Sequence, residues 1–152
     1  MSAADSLVFI DTNVLLYRYD TLDASKQRSA GLWLDVLWDR GVGRLSWQVL
    51  NEFYANATGK IGAPAAIIRP AVETYAEWKP AEFTIEQMQR AWHWRDQVGL
   101  SYWDGLILAA AEHLGCRWLL SEDFQHGRQY GSVQVVNPFR VDPSEFFGPR
   151  VH

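Results

Sequence analysis

Five carboxylates stand where the chain can bring them together. Asp11 directly follows the apolar, β-prone run Leu7-Val8-Phe9-Ile10, and Glu122 and Asp123 come just after the short apolar run Trp118-Leu119-Leu120. In an open parallel sheet the ligand crevice lies beyond the carboxyl ends of the strands, so these acids share one edge. Glu52 belongs to a helical stretch that follows Arg44-Leu45, and Asp104 to the first turn of the helix leading toward Trp118. Carboxylates gathered within a few ångströms repel one another and cannot all stay ionised without a cation. Hard divalent ions such as Mg²⁺ and Mn²⁺ prefer oxygen ligands and retain waters, so an acidic pocket without His or Cys ligands points to them rather than to zinc. His93, His113, His126 and His152 show no metal-ligand spacing, and Cys116 is alone.

Each acid also has a simpler reading. Asp11 after a strand can cap a helix, Asp104 can be the far half of a capping box opened by Ser101, and Asp123 can be a turn residue. Glu52 resists this, because its neighbours Val49, Leu50 and Phe53 belong to a core-facing stripe and a carboxylate beside such a stripe needs a partner. Phosphoryl transfer through an aspartyl nucleophile also starts from a strand ending in Asp. It calls for a second Asp two residues on and a nearby Lys, whereas position 13 is Asn and no Lys follows Lys79.

The positioning elements follow from periodicity. After the first strand, Val14-Leu15-Leu16-Tyr17 begins a short helix. From Ala24 to Arg40 the residues Ala30, Trp33, Leu34, Leu37 and Trp38 recur at helical spacing, and Gly41 and Gly43 end the pattern. A brief strand at Arg44-Leu45 precedes a helix capped by Ser46 that reaches about Thr58. Pro64 to Trp78 reads as helical with a disturbance at Pro70. Thr84 and Ser101 open two further helices, and Gly115 stops the second. A strand at Trp118–Leu120, a polar loop over 121–131 and a last strand Val133–Val136 complete the pattern. Strands separated by helices imply a parallel α/β sheet with right-handed crossovers.

At 152 residues with 48% hydrophobic content, the chain suits one domain whose core needs no disulfide or structural metal. We expect a single domain over 1–147 and a loose tail over 148–152. The lone cysteine suits a reducing compartment. The longest apolar stretch, Leu106 to Ala111, is too short for a membrane span, and the N-terminus lacks the basic start of a secretory signal, so the expectation is a cytoplasmic protein. A net charge of −4 argues against coating DNA by bulk charge. The five acids exceed that whole deficit, however, and the rest of the chain is mildly basic.

The runs Phe9-Ile10-Asp11-Thr12-Asn13-Val14-Leu15-Leu16-Tyr17, Gln48-Val49-Leu50-Asn51-Glu52-Phe53, Tyr102-Trp103-Asp104-Gly105-Leu106-Ile107-Leu108-Ala109-Ala110-Ala111 and Leu120-Ser121-Glu122-Asp123-Phe124-Gln125-His126-Gly127 resemble, in order and interval, the four signature segments of the PIN-domain ribonucleases. The likeness is closest to the bacterial VapC-type toxins, includes Val135-Val136-Asn137-Pro138-Phe139, and spans roughly residues 7 to 140. It implies an α/β, PIN-like three-layer fold with a short, mostly parallel central sheet flanked by helices. It also implies a Mg²⁺- or Mn²⁺-dependent endoribonuclease whose metal ligands match Asp11, Glu52, Asp104 and Asp123. Thr12 and Ser121 would be supporting hydroxyls, and Asn13 would orient the first loop. Glu122 stands beside the family's usual acid without matching it. The implied products are a 5′-phosphate and a 3′-hydroxyl, and the implied partners are an RNA substrate, a cognate antitoxin and a second copy of the chain. The competing expectation is a PIN-like RNA-binding or interaction module without nuclease activity.

Arg18, Arg44 and Arg128 flank these segments, where bidentate phosphate contacts would serve an RNA substrate. Trp78, Trp92, Trp94, Tyr102 and Trp103 could stack on unpaired bases, but a subunit interface is the better expectation for them. His126 reads as a surface-loop histidine.

Overall fold

Val8-Phe9-Ile10 is apolar without alternation, and it forms a strand buried on both faces, as parallel sheets require. A computed structural model describes residues 6–148. It gives the order β1 (Val8–Ile10), α1 (Thr12–Tyr17), α2 (Ala24–Arg40), β2 (Gly43–Arg44), α3 (Trp47–Thr58), α4 (Ala65–Tyr75), α5 (Ile85–Val98), α6 (Tyr102–His113), β3 (Trp118–Leu120), β4 (Gln129–Tyr130), β5 (Val133–Val136) and α7 (Pro143–Phe147). The sheet order is β2-β1-β3-β5-β4, parallel except for β4 against β5. The fold is therefore the expected α/β arrangement, a five-stranded and mostly parallel sheet flanked by seven helices among the described residues. None of those helices is long and apolar enough to cross a membrane.

Strand register sets where the acids can stand. Ile10 pairs with Leu120 and Leu120 with Val136, so β1, β3 and β5 end level with one another. The Asp11 amide then donates to the Leu120 carbonyl (3.0 Å) and the Ser121 amide to the Val136 carbonyl (3.0 Å), which fixes the first residue past each strand.

Three features depart from the pattern in the sequence. The polar loop over 121–131 contains β4, whose two residues turn back on β5 through Gly131 at φ 59°. Two residues are too few to show an alternation. The second strand lies at Gly43–Arg44, one residue earlier than expected, and Gly43 is required there because a Cβ would sit 2.5 Å from the Trp78 ring. α7 has no helical signal beyond its cap; Asp142 caps it, Pro143 starts it, and Phe146 and Phe147 pack on Trp33. The Trp33 indole donates to the Pro138 and Val141 carbonyls (3.0 Å each), tying this closing segment to α2. Pro70 lies inside α4, which continues to Tyr75 and tightens into a 3₁₀ turn over Ala76–Trp78. Of the expected tail, Gly148 caps α7 and 149–152 lie outside the described residues.

α5 and α6 pack so closely that a Cβ on Gly105 would meet the Ala91 carbonyl oxygen at 2.9 Å and its Cα at 3.1 Å. The obstacle is backbone, which cannot swing aside. Gly105→Ala is expected to lower stability in urea unfolding by about 1–3 kcal/mol. Gly31, within α2 and with nothing within 4 Å of its Cβ direction, is the contrast. Gly31→Ala should raise stability by about 0.5–1 kcal/mol.

Candidate functional site

The site begins with a helix cap. Asp11 is the N-cap of α1, and its Oδ1 accepts the Thr12 amide (2.7 Å), so the capping reading holds as far as it goes. Its other oxygen faces a different set of groups. Oδ2 accepts the Ser121 hydroxyl (2.7 Å) and the Asn13 amide (3.3 Å). Ser121 is fully buried, and its Oγ in turn accepts the Asp123 backbone N–H (3.1 Å). The Asn13 Nδ2 also reaches Ser121 Oγ (3.3 Å) and Asp123 Oδ2 (3.1 Å), while Asn13 Oδ1 accepts the Glu122 amide (3.4 Å). One amide thus ties the ends of β1 and β3 into a single polar network.

α3 supplies Glu52, and α1 supplies its partner. The Thr12 hydroxyl donates to Glu52 Oε2 (2.9 Å), and Gln48, one turn earlier on α3, donates to Oε1 (2.8 Å). These bonds answer the need for a partner beside the buried stripe. Gln48 is itself buried and does not stand out in the sequence, although its i, i+4 spacing from Glu52 is a usable signal. Asp104 occupies the third position of α6, and its amide donates to the Ser101 hydroxyl (3.1 Å). Burial raises its carboxyl above the usual carboxylate range against the opposing Ser101 bond, and the charges of Asp123 and Glu52 push the same way. Asp104 is therefore within electrostatic reach of acids from two other segments.

Burial pushes the Asp11 carboxyl up to about 7, although the Ser121 and Thr12 bonds favour its charge; Asp123 and Asp104 add repulsion. Asn13 links Asp11 to Asp123 and Thr12 holds Glu52 nearby, while Asp104 feels the charges of Asp123 and Glu52. Among the described residues no group of three or more acidic, histidine or cysteine side chains is placed so that it could hold a metal ion. The donor chemistry still fits Mg²⁺ or Mn²⁺. The set is all oxygen, neighbouring acids repel Asp11 and Asp104, Asp123 is solvent-exposed, and Mg²⁺ keeps several waters while taking only one or two carboxylates.

Glu122 is turned elsewhere. Tyr17 donates its hydroxyl to Glu122 Oε1 (2.6 Å), and the Lys26 ammonium binds Oε2 (2.8 Å). The Glu122 bond raises the proton affinity of both partners. Lys26 lies 96 residues from Glu122, so no local pattern points to it. The three arginines make other contacts. Arg18 pairs with Asp35 (3.1 Å) in a cleft of about 390 Å³ that shares no residue with the acids. Arg44 donates to the Gly41 and Gly43 carbonyls, and Arg128 lies over the Tyr130 ring at 4.7 Å. His126 accepts the Asn137 amide (3.0 Å). Of the aromatic residues expected at an interface, Trp94 is buried and donates to Glu112 (2.6 Å), and Trp78 is partly buried and packs on Trp38 and Tyr75.

The raised Asp11 carboxyl sets a pH dependence for the metal-free protein. Below about pH 4 the group is protonated in folded and unfolded chains alike and costs nothing. Between there and about pH 7 the unfolded chain ionises first, so stability falls as pH rises, by about 1.4 kcal/mol per unit at most. Above pH 7 the loss is complete. In EDTA, urea midpoints for Asp11→Asn should be nearly flat across this window relative to wild type, since Asn still caps the helix. An unchanged slope would contradict the burial of that charge.

The sequence pattern of the PIN domain matches residues 8–131, which include all four acids and every element from β1 to β4. No curated protein matches the chain. PIN domains are typically Mg²⁺-dependent nucleases that act on RNA, and on this match, over most of its length, the chain belongs to the PIN domain family.

Proposed function

We propose that this chain is a Mg²⁺- or Mn²⁺-dependent endoribonuclease, a single domain over 1–147, with Asp11, Glu52, Asp104 and Asp123 as its metal-holding acids. The observation that carries the reading is the Asn13–Ser121 network, which holds Asp11 and Asp123 at one sheet edge while Thr12 draws Glu52 to the same place. Groups with no shared task would not be gathered this way, because their mutual repulsion and burial are unfavourable.

A bound metal supplies a water of lowered pKa and offsets charge growing on the phosphate oxygens. The chain's own residues do the rest. Thr12 and Gln48 fix the Glu52 carboxylate, Ser121 and Asn13 fix that of Asp11, and Asn13 restrains the exposed Asp123. One carboxylate of the set accepts the proton of the attacking water. Attack on phosphorus with cleavage of the P–O3′ bond leaves a 5′-phosphate and a 3′-hydroxyl, the departing oxygen taking up a proton.

The biological role we assign is that of a cytoplasmic toxin in a type II toxin–antitoxin pair. An acidic pocket open to RNA is open to a cationic side chain as well, so a small antitoxin can inhibit by placing Arg or Lys where metal or phosphate would sit. A homodimer fits the exposure of Trp103 (62%) and Trp92 (46%), which lie on α6 and α5.

Purified protein should cleave single-stranded RNA with Mn²⁺ or Mg²⁺ and lose activity in EDTA. Asp11→Asn, Glu52→Gln, Asp104→Asn and Asp123→Asn should each reduce the rate at least a hundredfold. In thermal melts Asp104→Asn should be at least as stable as wild type in EDTA and gain less from Mn²⁺. RNA binding without cleavage by folded wild type under all these conditions would favour the binding-module reading. Expressed alone, the wild-type chain should arrest growth and Asp11→Asn should not. Unimpeded growth with abundant wild-type protein would overturn the toxin assignment while leaving the nuclease intact.

A further inference from the structure

A cleft of about 200 Å³ adjoins the acidic site, lined on one side by Asn13, Tyr17 and Asp20 of the α1 segment with Glu122, whose carboxylate is taken up by Tyr17 and Lys26, and on the other by Asn56, Lys60 and Ile61 at the end of α3. We propose that this cleft is the subsite for the nucleotide flanking the cleaved bond, with Lys60 as the cation for the adjacent phosphate. The proposal rests on the nuclease reading above and extends it to how the strand is held.

Both walls start at the site itself. Asn13 faces the cleft and is also the amide that bridges Asp11, Ser121 and Asp123. On α3, Asn56 lies one turn beyond Glu52, and its Nδ2 donates to the Glu52 carbonyl (2.8 Å), leaving Oδ1 for a ligand. The helix ends at Gly59, and the Ile61 amide folds back onto the Asn56 carbonyl (3.0 Å), which places Lys60 and Ile61 at the far end of the same wall. At 1.5 Å per residue, the helix end at Gly59 is roughly 10 Å from Glu52, and Lys60 follows it directly. A strand whose cleaved phosphate sits at the acids would thus run its next nucleotide through the cleft toward Lys60.

Charge selects Lys60 over the other nearby lysine. Lys26 is committed to Glu122 and Tyr17, whereas Lys60 is exposed and makes no hydrogen bond or ion pair among the described residues. Asp20 on the α1 wall, whose carboxylate accepts the Leu22 amide (3.0 Å), keeps a phosphate away from that side and toward Lys60. Between them lie Ile61 and the Tyr17 ring, the ring held by its hydroxyl bond to Glu122. The Tyr17 ring and Ile61 offer a base an apolar face, and the amides of Asn13 and Asn56 line the same cleft as hydrogen-bonding groups for its edge.

The test uses the full chain carrying Asp11→Asn, so that RNA is not consumed, and reads binding of a short single-stranded RNA by fluorescence anisotropy. Adding Lys60→Met should weaken binding at least fivefold and lower the slope of log K against log salt by about 0.7, while Lys60→Arg restores both. Ile61→Trp, which fills the cleft, should weaken binding with the salt slope unchanged. Lys79→Met, outside the cleft, should match the parent. Melting temperatures establish that each variant is folded. Binding unchanged in both Lys60→Met and Ile61→Trp, or no RNA binding by the parent, overturns the subsite. Absence of cleavage by wild type with Mn²⁺ overturns the nuclease reading instead, and a Lys60 effect that persists there keeps the cleft as an RNA-binding feature.

Discussion

Asp11, Asn13, Ser121 and Asp123 take their positions from the level ending of β1 and β3. Because Ile10 pairs with Leu120, Asp11 and Ser121 leave the sheet side by side, and a 2.7 Å hydrogen bond forms between side chains 110 residues apart. A shift of one residue in either strand would turn every side chain to the opposite face and bury the acid in the core. The apolar residues therefore do more than fill the interior. Val8, Phe9, Ile10, Leu119 and Leu120 are almost fully buried, and their packing is what makes the register unique.

Around that fixed pair the protein gathers charges that oppose one another. Asp11 is buried at 5% exposure and accepts three hydrogen bonds, yet its carboxyl is still pushed up to about 7, so desolvation outweighs the donors provided. That cost is relieved by protonation of Asp11 or by positive charge entering from the open side, where Asp123 is exposed. Lys26 does not provide it, because its ammonium is held by Glu122 and packed over the Tyr17 and Phe139 rings at about 5 Å. Glu122 thereby anchors the loop after β3 while keeping the Lys26 charge out of the acidic set.

Two helices bring in the other acids by close approach. α3 reaches the site through the Thr12–Glu52 bond, backed by the buried Gln48, and α6 through its first turn. The latter depends on Gly105, whose missing side chain lets α6 lie against the α5 backbone at Ala91. A glycine one residue after Asp104 thus places the acid through helix packing, with no contact of its own in the site.

Strand and helix order, the caps at Asp11, Ser46, Thr84 and Ser101, and the acids at the strand and helix starts are all legible in the sequence. These are local matters: a cap lies within three residues of the amide it serves, and periodicity is read over a single turn or strand. Which groups face each other is settled by packing in three dimensions. Lys26 and Tyr17 holding Glu122, Trp94 turned inward to Glu112, and Arg18 engaged with Asp35 are contacts that no local pattern specifies. The short elements belong with them. β4 has two residues and α7 has five, too few for a period to emerge, and each exists because a neighbour, β5 for one and the Trp33 ring for the other, supplies the contacts its own sequence lacks.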